Sequence, residues 1–479
     1  MVFKPAIGLE IHVELLTCTK IFCGCRTDFG AAPNSQLCPV CLGLPGALPV
    51  LNEKVVELAV KTGLILNSQI NYYSSFDRKN YFYPDLVKGY QITQYYEPLA
   101  RGGYLDITKG RINKRIRINR IHIEEDAGKS IHLSEETLLD YNRSGVPLME
   151  IVTEPEFESG EEVVCFLERL REKLVHGDIS DCKLEQGSLR VDVNISLSTK
   201  GKPLGKKTEI KNINSFKNIE KAITHEIKRQ AKLLEHGEDI KEQTLGYNDK
   251  DNSVIIMRDK EATNDYMFFP EYDLPNLVLE EKYIEEIRKS LPRDTQDIRQ
   301  ELIGLGLSLN QIDKILKTKG MLQYFHGIFE EYKDSNKIAN ILFGDFSRYL
   351  NDKKISIEKV ALPPKYISDL LQLADAGKIN SVAMKKILFE MLACDPKALV
   401  KPEYLIEKLD LSQTFSEKEI DETVDKVIND NQGVVEDYLN GNNKVFKYLM
   451  GLIMKETKGK ANPTILREVL KGKLDNKKE

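Results

Sequence analysis

The 479-residue chain has no apolar run near the roughly 20 residues that a membrane-spanning helix needs, so no membrane span is expected. Its opening residues, MVFKPAIGLEIH, lack the apolar stretch and cleavage site of a secretory leader. Eight unevenly spaced cysteines do not make a disulfide framework, and a reducing compartment, the cytoplasm by default, is expected. No GxxxxGK[ST] phosphate loop, no GxSxG elbow and no glycine- and serine-rich amidase signature occurs. The seven histidines are scattered, which disfavours a serine or cysteine hydrolase. If the chain activates a substrate with ATP, it does so with metal-bound phosphates on a sheet.

A chain of this length suggests about three domains. Its net charge of -5 hides an uneven distribution. Residues 101–120 hold seven Lys/Arg against the single acid Asp106, and residues 441–479 hold ten against four acids, whereas residues 401–440 carry four bases and eleven acids. Local basic stretches of this kind let a mildly acidic protein bind nucleic acid, although each also suits a solvated face.

The first 280 residues alternate in the manner of strands. LRVDVNISL (189–197) sets Leu189, Val191, Val193, Ile195 and Leu197 against Arg190, Asp192, Asn194 and Ser196. VPLMEIVTEPE (146–156) and KKTEIKNIN (206–214) read similarly, while 161–174 and 216–237 have helical spacing. This predicts an α+β body with a large, mostly antiparallel sheet. From about residue 291 the pattern turns helical, and a further helical unit starts near Pro402. The expected domains are 1–290, 291–404 and 405–479.

GLEIHVEL (8–15) shows what is unusual about these strands. Leu9, Ile11, Val13 and Leu15 form one face; Glu10, His12 and Glu14 form the other. The same holds for His122, Glu124 and Asp126, for Glu150 and Glu154, for Arg190, Asp192 and Asn194, and for Lys207, Glu209 and Lys211. If the strands are neighbours, the polar faces merge into one carboxylate-rich surface with basic residues at its margin. Carboxylates so close repel one another unless a cation intervenes. Oxygen ligands with an occasional imidazole suit Mg²⁺ or Mn²⁺, and nearby Lys and Arg suit phosphates. Parity alone leaves Glu124 and Glu125 as alternatives, because a bulge near Ala127-Gly128 would exchange them.

Cys23, Cys25, Cys38 and Cys41 form C-x-C-x12-C-x2-C, a spacing able to close a structural tetrahedral zinc site. Cys18 lies outside it, and Cys165, Cys182 and Cys394 read as small core residues.

GLEIHVEL, PNSQLCPVCLGLPGALPVLN, FDRKNYFYPDL, KGYQITQY, IHIEEDAGK, DYNRSGVPLMEIVTEPE, GSLRVDVNIS, TEIKNINSFKNIEKAI and KGKANP together resemble the GatB/GatE family, the B subunits of the tRNA-dependent aspartyl/glutamyl amidotransferases. The resemblance implies a glutamine-synthetase-like cradle, an all-α helical domain and a small all-α tail that contacts tRNA. It implies ATP-dependent phosphorylation of the side-chain carboxylate of Glu or Asp on a misacylated Glu-tRNA(Gln) or Asp-tRNA(Asn). Ammonia, released from glutamine by a separate amidase subunit, then displaces the phosphate, with a small third subunit joining the two in a heterotrimer. By resemblance Glu10, His12, Glu125 and Glu150 hold Mg²⁺, with Glu124, Asp192 and Glu209 as further candidates. Lys79 and Arg190 are candidates for phosphate or carboxylate contacts, and the four cysteines match the zinc-bearing branch. Leu245 and Met267 stand where the family usually has Arg. A metal-dependent nuclease or phosphatase, or a non-catalytic tRNA-binding scaffold, would account for the same acids and bases.

Overall fold

The computed structural model describes residues 3–199, 203–248, 251, 253–259, 266–395, 400–411, 417–439, 442, 445–457, 461 and 463–477. The chain divides into two compact units, Met1–Ile298 and Arg299–Glu479. The KGKANP segment lies largely outside the described residues.

In the first unit the strands are β1 (Phe3–Glu14), β2 (Gln69–Ile70), β3 (Tyr73–Ser74), β4 (Asp77–Asn80), β5 (Tyr90–Thr93) and β6 (Ala100–Arg101). There follow β7 (Tyr104–Lys109), β8 (Ile112–Glu125), β9 (Lys129–His132), β10 (Thr137–Asp140), β11 (Pro147–Thr153) and β12 (Leu189–Thr199). The last are β13 (Thr208–Lys211), β14 (Gln243–Asn248), β15 (Ser253–Asp259), β16 (Met267–Pro270) and β17 (Leu277–Val278). Ten of them make one sheet in the order β15-β14-β13-β12-β1-β11-β8-β6-β2, with β7 paired to β8. Among the described strands, only β13 and β14 run parallel within it. The α+β expectation holds.

Helices α1 (Glu53–Ile65), α2 (Gly160–His176) and α3 (Phe216–Glu235) pack on this sheet. Asn52, Ser159 and Ser215 cap them by accepting from backbone N–H groups of the first turn. Their apolar stripes join Ile7, Leu9, Ile11, Val13, Ile121, Ile123, Met149, Ile151, Val191 and Val193 in one core. Because β1 alternates with period two, burying Leu9 and Ile11 on this side turns Glu10 and His12 to the opposite one.

A small sheet, β16-β4-β5, lies against the end of β8. There Gln91 Nε2 donates to the Glu125 carbonyl (2.7 Å) and Ile123 N donates to Gln94 Oε1 (3.0 Å).

The second unit is helical. Its last four helices, Glu417–Asp430, Gln432–Leu439, Val445–Glu456 and Pro463–Asp475, enclose a core of their own. Ile420, Val424, Leu449, Ile453, Leu466 and Leu470 are fully buried in it.

Candidate active site on the polar face of the sheet

Register decides which polar residues meet. His12 faces Glu150 on β11 and Arg190 on β12, and Glu10 faces Asp192. Glu150 faces His122 on β8, and Asn194 faces Glu209 on β13. The five strands marked by their polar faces are therefore consecutive in the sheet, in the order β13, β12, β1, β11, β8.

Two groups of acids result, one on each side of β1. In the first, ligand atoms of His12, Glu124 and Glu150 all lie within 4.8 Å of one another. His12 Nε2 is 3.4 Å from Glu124 Oε1 and 3.7 Å from Glu150 Oε2. His122 completes the group, its Nε2 3.1 Å from Glu150 Oε2 and 3.8 Å from Glu124 Oε2. Burial alone would strip His122 of its proton, but Glu150 and Glu124 outweigh it and hold the imidazole up to about 9. Burial likewise opposes ionisation of Glu150, and His122 and His12 reverse that, holding its carboxyl well below the usual range. His122 Nδ1 is buried with no hydrogen-bond partner.

The structure places Glu124 in this group and leaves Glu125 outside it. Pairing of β8 with β11 is regular from Ile121 to Glu125, and the bulge lies at the other end, between Val152 and Thr153. Glu125 therefore has the parity of Ile121 and Ile123. Its carboxylate accepts from Ile92 N (2.9 Å) and from Lys88 Nζ.

In the second group, Glu10, Asp192 and Glu209 also fall within 4.8 Å. Lys211 Nζ lies 2.6 Å from Asp192 Oδ2 and 3.1 Å from Glu209 Oε1, and Asn194 Nδ2 donates to Glu10 Oε1 (3.0 Å). Burial works against the Lys211 charge, yet Asp192 and Glu209 raise it above the ordinary lysine value.

Beyond the groups, Arg190 Nη2 contacts Asp126 Oδ1 at 2.9 Å, and Arg143 Nε contacts Asp126 Oδ2 at 3.0 Å. Despite its burial, Asp126 is held below its usual range by these two guanidiniums. Glu14 extends the β1 face beside this clamp. Burial, with Asp126 and Asp181, pushes it up to about 7 against the pull of Arg143 and Arg190. Glu154 lies past the bulge and accepts from Asn119 Nδ2 (2.8 Å). Lys79, on β4, lies close enough for its charge to help keep Glu150 ionised. Reading strands singly gave His122 and Lys211 no role. Their parity with Glu124 and Glu209 was the available signal.

The four cysteine sulfurs Cys23, Cys25, Cys38 and Cys41 lie within 4.8 Å of one another. An antiparallel bridge of Thr19 with Arg26 presents the first pair, and Cys38 N donates to Cys41 Sγ (3.2 Å) in the second. Gly43 follows at φ +63°, and any Cβ there would sit 2.4 Å from Lys88 Cγ. A hydrogen bond between Cys23 and Cys41 pulls the Cys41 thiol down and pushes Cys23 up. Four soft sulfurs converging in this way fit Zn²⁺, and oxygen-rich acids with imidazole fit Mg²⁺.

Leu245 is fully buried on the apolar side, paired with Ile210 and Ile256. Met267 is 70% exposed and faces Asn80. Neither belongs to the acid groups.

The profile of the GatB/GatE catalytic domain matches residues 5–285, and that of the GatB domain matches residues 323–474. Three proteins, each named as the B subunit of an aspartyl/glutamyl-tRNA(Asn/Gln) amidotransferase, align along nearly the whole chain. The one from Clostridium tetani is 44% identical over 98% of both chains. That from a Thermoanaerobacter species is 46% identical over 99% of this chain and all of its own. That from Carboxydothermus hydrogenoformans is 44% identical over 98% of this chain and 99% of its own.

Proposed function

The chain belongs to the GatB/GatE family, and on that premise we propose that it is the B subunit of a tRNA-dependent Asp/Glu amidotransferase. One observation carries the chemistry: two acid groups share β1 on a single sheet face, with Lys79 beside the first. A carboxylate resists ammonia because its oxygen is a poor leaving group. Transfer of the γ-phosphoryl of ATP to a side-chain oxygen of tRNA-bound Glu or Asp releases ADP and makes phosphate the leaving group. Ammonia then attacks the carbonyl carbon, phosphate departs, and loss of a proton leaves the amide.

Phosphoryl transfer needs positioning and charge neutralisation more than a protein nucleophile. His12, Glu124 and Glu150 would hold Mg²⁺, with Glu10, Asp192 and Glu209 next in line. When bound, the ion neutralises phosphate charge. Lys79 brings an ammonium to the edge of the same site. The partly exposed His12 faces the substrate side, whereas His122, two strands away on the same face, is almost wholly enclosed and steadies Glu150. The four cysteines would hold a structural Zn²⁺, which would fix the loop after β1. Ammonia comes from an amidase partner, and a small third subunit joins that partner to this chain. The self-contained helical core near the C-terminus supports a separate role for that part in gripping the tRNA.

The test uses the assembled enzyme with ATP, free ammonium and either Glu-tRNA(Gln) or Asp-tRNA(Asn). Amide forms in the native assembly, and Glu150→Ala lowers the rate at least about a hundredfold while tRNA binding persists. Amide formation undiminished in that variant overturns the site. Phosphate release that ignores the aminoacyl-tRNA marks a phosphatase instead.

A further inference from the structure

The small sheet β16-β4-β5 carries a feature that the phosphoryl and amide chemistry leaves unused. Along it five aromatic rings run in contact. Tyr96 meets Tyr95 at 5.0 Å between centroids, and Tyr95 stacks on Phe268 at 4.0 Å and 13°. Phe268 meets Tyr266 at 6.4 Å, and Tyr266 meets Tyr81 at 5.5 Å. Tyr95, Tyr96 and Tyr266 are 45%, 52% and 46% exposed, so the rings are held in place without being hidden. Asp77, itself buried, fixes the outer end by accepting from the backbone N–H groups of Tyr95 (2.8 Å) and Tyr96 (3.0 Å).

The row passes beside the first acid group. Lys79 Nζ is 4.6 Å from the Tyr266 centroid, and the same ammonium acts on Glu150. Nearer the Tyr95 end, Thr93, two residues before Tyr95, donates to Glu124 Oε2 at 3.5 Å. At the Tyr96 end Arg101 Nη2 donates to the Tyr96 backbone carbonyl (2.7 Å) and lies 3.5 Å from Glu97 Oε2. The row of rings therefore lies alongside the acids, with Tyr95, Tyr96 and Tyr266 open to solvent and the Lys79 ammonium against Tyr266.

We infer that this row is a stacking platform for the unpaired nucleotides at the acylated 3′ end of the RNA substrate. The inference rests on the function proposed above. The carboxylate to be amidated is esterified to the terminal ribose, so the terminal base lies within one aminoacyl length of the acid group. Aromatic faces accept any base, and the Lys79 ammonium suits a phosphate between bases. ATP also carries a base, and the experiment separates the two.

The probe is uncharged tRNA with 2-aminopurine in place of its terminal adenine, added to the complete assembly. Native enzyme quenches its emission, Tyr96→Phe and Tyr266→Phe retain the quenching, and Tyr96→Ala and Tyr266→Ala lose most of it. In turnover the alanine variants raise KM for aminoacyl-tRNA about tenfold, with KM for ATP and the saturated rate within about twofold. Unquenched emission with native enzyme overturns the platform, as does a rise in KM for ATP alone. Dissociation of the alanine variants from their partner subunits also overturns it, since the rings would then be a protein interface. Native enzyme that quenches the probe yet makes no amide retires the proposed function and leaves RNA stacking standing.

Discussion

The two acid groups flanking β1 are built from the same strand and balanced by different cations. On the β11 side His12 and His122 stand against Glu124 and Glu150. On the β12 side Lys211 lies between Asp192 and Glu209. Glu10 and His12, two residues apart, supply one member to each group, so strand period explains why the groups adjoin. The neighbouring strands explain why they differ. His122, held up to about 9, gives up its proton at mildly alkaline pH, whereas Lys211, raised above the ordinary 10.5 between two carboxylates, keeps its own. A divalent ion can therefore enter the first group as protons leave it. To enter the second it must displace an ammonium. This makes the histidine group the stronger Mg²⁺ candidate and the lysine group the more permanent internal ion pair.

Substitution tests that ranking most severely. With saturating ATP and free ammonium, Glu124→Gln is expected to lower the amidation rate about a thousandfold and Glu209→Gln about tenfold. Equal losses would erase the distinction between the groups. A smaller effect separates them by stability. Lys211→Met leaves Asp192 and Glu209 facing each other without their ammonium, which should cost about 2 kcal/mol after allowance for the lysine's partial exposure. Added Mg²⁺ should then raise the melting temperature of Lys211→Met more than that of the native chain. If Lys211→Met melts with the native chain in the absence of metal, the lysine does not balance the group.

How much of this could be read beforehand depended on the range of the interaction. The two faces of β1 were legible because alternation is local, and the cysteine spacing was legible for the same reason. Which of Glu124 and Glu125 shares a face with His122 was legible in principle. Parity with His122 and Ile123 decides it, since no bulge interrupts β8 between Ile121 and Glu125. The order β13, β12, β1, β11, β8 was not legible. It sets β1 between β11 and β12, each more than a hundred residues away along the chain, and no local pattern records which strand lies beside which. Hence His122 could be put on a polar face without its contact to Glu150 being foreseen. The Lys88–Glu125 pair, 37 residues apart, had no local signature at all.

The finest test follows the protons of the metal-free chain. The folded value of His122, about 9, lies above the ordinary 6.5 because Glu150 and Glu124 outweigh the burial that opposes charge. A group whose folded value is raised favours folding fully below its unfolded value and ceases to do so above its folded one. The histidine's contribution should thus be complete below about pH 6.5 and fade as pH rises toward 9, by at most about 1.4 kcal/mol per pH unit. The lysine group adds no slope in this window, because the Lys211 value is raised from an ordinary 10.5. Denaturant midpoints measured with a chelator between pH 6 and 9.5 should therefore drop, relative to those of His122→Gln, for the native chain and for Lys211→Met alike. For His122→Gln, whose amide keeps a donor without the charge, the curve should flatten. A slope unchanged in His122→Gln would place the titrating proton elsewhere and leave the two groups with the same response to pH.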